Sequence, residues 1–248
     1  MGFWNKLKAQ WYKKGLKHSN FHKAALPLML ERTNGAKTYL DVGAGCGALS
    51  IPLAKAGKRV TALEPADSMY SMLVEEIRAE KLEKRITAVH MPWIAEKIKK
   101  HDVVFCANVP ELLKDPVPFA LEASQKARKA VFLIVNADPS GDKFYYKELY
   151  PLLFKKEFQR QGNYLSTYSA LYDSGISANV EMIEYDFDQP FDSMNDALEF
   201  WKEYLGIVTA EHDAALEKFL KARLVKKRST LLAKFHKKSA VIWWRTKR

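Results

Sequence analysis

Three glycines in five residues, Gly43-Ala44-Gly45-Cys46-Gly47, stand between a β-prone run, Thr38-Tyr39-Leu40, and a helix-compatible segment opening near Ala48. Glycine accepts positive φ and carries no Cβ, so a turn built from it lets backbone come close to a ligand. A helix starting there aims its unpaired N–H groups at whatever lies over the turn. A second β-prone run, Val60-Thr61-Ala62-Leu63, ends on Glu64-Pro65. A carboxylate in that position can accept hydrogen bonds from both hydroxyls of a ribose. Together these features predict a βαβ unit with an adenosine-containing ligand above the turn.

Gly43-x-Gly45-x-x-Ala48 also fits a relaxed dinucleotide fingerprint. Asp41 argues against that reading. Two residues before the first glycine, a dinucleotide fold places a buried and normally apolar residue, because burying an unpaired carboxylate is costly. An acid there can instead face the turn and meet a cationic group. The chain is also short for a nicotinamide or flavin enzyme with a separate substrate domain.

Asp41-x-Gly43-x-Gly45-x-Gly47, followed by Glu64-Pro65, resembles the class I S-adenosylmethionine-dependent methyltransferases. The resemblance implies S-adenosylmethionine as cofactor and S-adenosylhomocysteine as product. It places Asp41, Gly43, Ala44, Gly45 and Gly47 at the methionine end, Glu64 and Pro65 at the ribose, and Met69 near the adenosine. After the third strand, Pro92 stands where family members usually carry an acid for the adenine amine, leaving backbone groups and Trp93 to that role. Asn108-Val109-Pro110-Glu111 follows the fourth strand and brings Asn108 and Val109 to the cofactor. It lacks the double proline and aromatic of enzymes that methylate base amino groups.

Alternating strand and helix patterns extend the unit into an α/β fold. Strands are expected at 38–42, 59–63, 86–90, 102–107 and 131–135, and helices at about 47–57, 67–81 and 115–128. The family pattern adds a helix at 163–174, a sixth strand at 179–187 and an antiparallel seventh at 239–245. The fold class is thus a Rossmann-like, seven-stranded, mostly parallel sheet with an antiparallel last strand, helices on both faces and helical lid insertions. Residues 1–37 read as an N-terminal helical cap, with Trp4, Leu7 and Trp11 on one face, and 38–248 as the methyltransferase domain. Two extra segments, 139–160 and 189–238, leave carboxyl ends of strands, the edge where open α/β sheets bind ligands. In the second, Ser193 opens a helix carrying Leu198, Trp201 and Leu205, and Leu216, Phe219, Leu220 and Leu224 form one face of the next. Substrate candidates near that edge are His22, Tyr145, Tyr146, Tyr164, Tyr168 and Tyr172.

Net charge is +11, unevenly spread: +12 over 218–248 and +7 over 1–37, leaving −8 in the middle. Two cysteines, Cys46 and Cys106, suggest neither a disulfide framework nor a metal site. No apolar run approaches the ~20 residues that span a bilayer, and the expected location is the cytoplasm. The sequence reading favours in-line methyl transfer to a small metabolite, with an anionic one expected if the 218–238 cations rim the pocket. The alternative is an RNA methyltransferase whose basic ends bind phosphates. No catalytic dyad is visible, and none is required, because a sulfonium methyl is already activated.

Overall fold

The computed structural model of the chain describes residues 3–138, 142, 144–159 and 163–246. The main sheet comprises β1 (Thr38–Val42), β2 (Arg59–Leu63), β3 (Ile86–Val89), β4 (His101–Ala107), β5 (Ala127–Asn136), β6 (Asn179–Asp186) and β10 (His236–Arg245). Between β6 and β10 lie three short strands, β7 (Gln189–Phe191), β8 (Val225–Lys227) and β9 (Thr230–Ala233). The seven strands run in the order β3-β2-β1-β4-β5-β10-β6, and β10 is antiparallel to both neighbours. This is the expected doubly wound sheet with its reversed last strand. The short strands form a separate sheet, β7-β9-β8.

The helices are α1 (Lys6–Leu16), α2 (Phe21–Arg32), α3 (Ser50–Lys55), α4 (Asp67–Ala79), α5 (Pro110–Leu113), α6 (Pro116–Lys126), α7 (Tyr146–Phe154), α8 (Tyr164–Asp173), α9 (Met194–Leu205) and α10 (Asp213–Arg223). The sheet is apolar on both faces because alternate residues of each central strand point to opposite sides. Tyr39, Val103, Phe105, Phe132 and Ile134 meet α2, α3 and α4 on one side. Leu40, Val42, Val104, Cys106, Val131 and Leu133 meet α6 and Leu171 of α8 on the other.

The segment after β6 departs from the expected all-helical insertion. α9 and α10 form as anticipated, with the Ser193 hydroxyl accepting from Asp196 N–H at 3.1 Å, but β7, β8 and β9 join them. With α7 they share a separate core of Leu149, Phe191, Phe200, Trp201, Leu216 and Phe235. The bounds of the first insertion, 139 and 160, lie outside the described residues.

α1 joins the two cores. Trp11 is 1% exposed within the lid core, and its indole N–H donates to Asp196 Oδ1 at 2.7 Å. The Trp11 carbonyl accepts from Gln189 Nε2 at 3.1 Å. Ion pairs of Lys14 with Asp192, Lys8 with Glu203, and Lys13 with Glu76 hold the flanks. α2 lies elsewhere, with Phe21, Ala25 and Met29 buried against the main sheet.

Gly15 marks how closely α1 packs: a Cβ there would stand 2.7 Å from Gln189 Oε1 and 2.8 Å from a ring carbon of Phe187. Gln189 is 2% exposed and its amide is bonded to two carbonyls, so it has no room to swing aside. Helix propensity alone would make Gly15→Ala stabilising by about 1 kcal/mol. Overpacking costs about 1–3 kcal/mol, and we expect it to win. Urea denaturation should show a net loss of stability, and a stabilised variant would refute this account of the contact.

Candidate active site

The carboxyl ends of β1 and β2 build the turn jointly. Beyond the last β1 residue, Gly43 N–H and Ala44 N–H both donate to the Leu63 carbonyl at 2.9 Å. The parallel ladder therefore extends into the turn. Gly43, Gly45 and Gly47 have φ of +75°, +56° and +92°. At Gly43 the requirement is also steric, since a Cβ would come within 2.4 Å of the Val109 Cγ2 methyl. That contact places Val109, at the end of β4, directly against the turn.

Two buried carboxylates flank the turn. Glu64, 5% exposed, accepts from Gly45 N–H at 2.7 Å and from Ala66 N–H at 2.8 Å, one bond to each oxygen. Burial raises its carboxyl above the usual range, against the pull of those two amides. Asp41, 3% exposed, accepts from the Ser50 hydroxyl at 2.7 Å. Burial pushes its carboxyl up to about 7, against the Ser50 bond, with nearby Glu64 adding to the rise. Asp41 thus sits at the border of ionisation near neutral pH, where a cation would favour its charged form.

α1 roofs this arrangement. Ala9, Cys46 and Met69 form a buried cluster with Trp4, Tyr12, Leu16, Ala66 and Met72 around it. A Tyr12 ring carbon lies 3.8 Å from where a Gly45 Cβ would stand. Burial raises the Tyr12 phenol above its ordinary range, so it stays neutral and able to donate. Sequence reasoning did not single out Tyr12 or Ser50. The aromatic density of Trp4, Trp11 and Tyr12 was the available signal for the first. The Cys46 thiol is likewise pushed up to about 12 by burial, which makes it a packing residue.

The remaining candidates are scattered. Pro65 is exposed, and its carbonyl lies 3.1 Å from His90 Nε2. Pro92 is exposed, while Trp93 packs edge-on to Phe119 and donates to Glu122 at 2.6 Å. Asn108, at φ +55°, bonds the Ile134 carbonyl through its N–H. The Tyr185 hydroxyl meets Ser239 Oγ at 3.1 Å, a buried polar pair between β6 and β10. Tyr145 and Tyr146 belong to the lid, the first stacked on Trp201 and the second bonded to the Tyr204 carbonyl. Tyr164 and Tyr168 pack on the α6–α8 side of the sheet, Tyr172 is exposed, and His22 sits in the first turn of α2, its pKa lowered by burial.

A methyltransferase domain family matches residues 40–135, the stretch from β1 to β5. Protein arginine N-methyltransferase 9 of Xenopus laevis is 30% identical over 122 residues, 49% of this chain but 14% of that protein. An uncharacterized protein of Haemophilus influenzae is 25% identical over 238 residues, covering 94% of this chain and 84% of its own. A Bacillus halodurans C-125 protein described as a methyltransferase superposes with a TM-score of 0.54 at 18% identity, over 90% of this chain and 98% of that one. Magnesium protoporphyrin IX methyltransferase of Synechocystis PCC 6803, with bound S-adenosylhomocysteine, gives 0.50 at 15% identity, over 98% and 89%. At these identities the two structures speak to the fold.

The position of Asp41 has a consequence for pH. Its folded-state pKa lies above the usual carboxylate value, so the folded chain keeps this proton longer than the unfolded chain. Ionising it therefore lowers stability as pH rises from about 4 to 7. A ligand whose ammonium meets Asp41 requires the ionised form. Affinity for S-adenosylhomocysteine should then rise from pH 6 to pH 8, with proton release at the lower end. Calorimetry in buffers of different ionisation heat reads that proton, and Asp41→Asn should abolish it. An affinity independent of pH in the wild type would separate Asp41 from the ligand.

Proposed function

We propose that this chain is a class I S-adenosylmethionine-dependent methyltransferase that methylates a small anionic metabolite held between the glycine turn and the lid, a reading supported by the domain match and the sheet order. The observation that carries the reading is the cover over the carboxyl edge. α1 lays Tyr12 against the turn while Trp11 is anchored in the lid core. Such a roof suits an acceptor small enough to be enclosed, and a long polymer would have to enter past it.

The residues fit the cofactor. The 43–47 backbone offers a side-chain-free cradle beside Val109. Each Glu64 oxygen uses one lone pair on an amide, leaving another for a ribose hydroxyl. Asp41 supplies negative charge for the amino group. When bound, the cofactor supplies an activated methyl group for in-line displacement. The chain's own task is alignment and exclusion of water. Tyr12 and Met69 close the turn from above, and the buried Tyr185–Ser239 pair lies at the same end of the sheet.

Support for an anionic acceptor comes from Lys237. It opens β10 beside the end of β5, where Ala137 N–H donates to the Lys238 carbonyl at 2.9 Å. Its ammonium lies 4.9 Å from the Phe235 ring centre and 5.6 Å from that of Phe144. Burial lowers its pKa, and Asp142 and Asp138 partly restore it. A lysine this desolvated gains more from an anion than one on the surface.

Three measurements test the proposal. Glu64→Gln keeps the shape of the side chain but removes its charge. It should weaken S-adenosylhomocysteine binding roughly tenfold or more, as loss of a charged hydrogen-bond partner does. Labelled methyl from S-adenosylmethionine should then enter a small-molecule fraction of a metabolite extract, and Lys237→Met should raise KM for that acceptor with little change in kcat. Label appearing only in RNA or protein would overturn the small-acceptor reading, and an unchanged KM would remove Lys237 from it.

A further inference from the structure

At the opposite end of the strands, roughly 17 Å along β5 from the level of the turn, lies an open cavity of about 300 Å³. The end of α2, the start of β5 and the end of β10 enclose it. Its cations differ in how far they are already neutralised. Arg32 forms two bonds to Glu181, at 2.9 and 3.1 Å, and one to Glu31 at 3.0 Å. Arg128 is loosely paired, its guanidinium 3.7 Å from an Asp102 carboxylate that already accepts from Lys37 N–H and Thr38 N–H. Among the described residues Lys129 bonds only the Asn34 carbonyl, at 3.2 Å. Arg245 is exposed and makes no ion pair with a described carboxylate. Glu31 is the single acid among the lining residues.

Thr246 adds a second, independent feature. Thr246 lines the cavity, and its hydroxyl oxygen is buried with no hydrogen-bond partner among the described residues, although its backbone N–H donates to the Lys129 carbonyl at 3.0 Å. A buried hydroxyl left unmatched is costly. An oxyanion held by the three under-neutralised cations gives it a partner once the side chain turns about χ1 toward the cavity.

We propose that this cavity is a second binding site, remote from methyl transfer, that takes a phosphate group through Arg245, Arg128, Lys129 and the Thr246 hydroxyl. Phosphate fits better than carboxylate because the donors converge from two strands onto a space with room for a tetrahedral group, and guanidinium forks match its oxygens in pairs. The surroundings extend the attraction. Lys37, Arg59, Arg85 and Lys100 all stand exposed where parallel strands enter the sheet. The phosphate can therefore belong to a small phosphorylated molecule or to a polynucleotide backbone that continues along this row.

Inorganic phosphate, titrated at constant ionic strength against chloride and followed by amide NMR, tests the site without an identified ligand. The expected result is saturable shifts at Arg245 and Thr246. Binding should weaken at least roughly tenfold in Arg245→Gln and measurably in Thr246→Val, a near-isosteric change that removes only the hydroxyl. Neither residue belongs to the methyl-transfer machinery, so S-adenosylhomocysteine affinity should be unchanged in both variants. A single-stranded RNA of about 12 nucleotides separates the two sources. Binding at least tenfold tighter than phosphate, with the salt slope reduced by about one in Arg245→Gln, assigns the site to a polynucleotide. RNA no tighter than phosphate assigns it to a small phosphorylated molecule. Absence of saturable phosphate binding, or equal affinity in the wild type and both variants, overturns the proposal.

Discussion

The candidate site depends on a hydrogen-bond ladder that does not stop where the strands stop. The Leu63 carbonyl accepts from Gly43 and Ala44, and the next residue, Glu64, continues the pairing with its side chain by accepting from Gly45. The other Glu64 oxygen reaches forward to Ala66 at the start of α4. One carboxylate thus ties the β1 turn to the β2–α4 junction. Its burial is tolerable because two amide donors compensate it. Asp41 is the less secure of the pair, having only one hydroxyl for company. The site is therefore built with one acid firmly held and one near its titration point.

That asymmetry bears on how the roof works. α1 is no loose appendage: an aromatic anchor, a buried glutamine amide and several ion pairs hold it to the lid. Its contact with the turn is thinner, made by Tyr12, Ala9 and the half-buried Trp4 and Leu16. Uncovering the turn while keeping α1 on the lid disturbs fewer buried contacts than the reverse. α1 is thus tied more heavily to the lid than to the glycine turn.

The main sheet was legible because its signals are local or periodic. Continuous apolar runs mark two-sided burial, and the bounds of β1 and β2 fall where the pattern put them. β5 begins four residues before the expected start at 131, because Ala127 pairs with His101 while Arg128 and Lys129 fall in an irregularity before Ala130 pairs with Val103, a feature no local pattern shows. The small sheet was illegible for the opposite reason. β8 is three exposed residues, and β7 pairs with β9 across some 40 residues of intervening chain, so no local pattern encodes either. Tyr12 shows the same limit at the site. The stripe of Trp4, Leu7 and Trp11 reveals that α1 packs, but which side meets the turn is decided by partners distant in sequence.

Charge gives the sharpest contrast between the linear and the folded chain. Along the sequence, the excess sits at both ends around an acidic middle. In the fold, much of the N-terminal excess meets acids of that middle: Lys8 with Glu203, Lys13 with Glu76, Lys14 with Asp192 and Arg32 with Glu181. Those cations serve to dock α1 and α2, which weakens the idea of a free basic arm. Cations without carboxylate partners collect instead where parallel strands enter the sheet, because each short connection ends there in an exposed polar residue. A row so placed cannot reach a ligand over the glycine turn at the far edge. What it can do is hold a ligand's phosphates while leaving the opposite edge unobstructed. Any phosphate recognition by this fold is therefore separate in space from its chemistry.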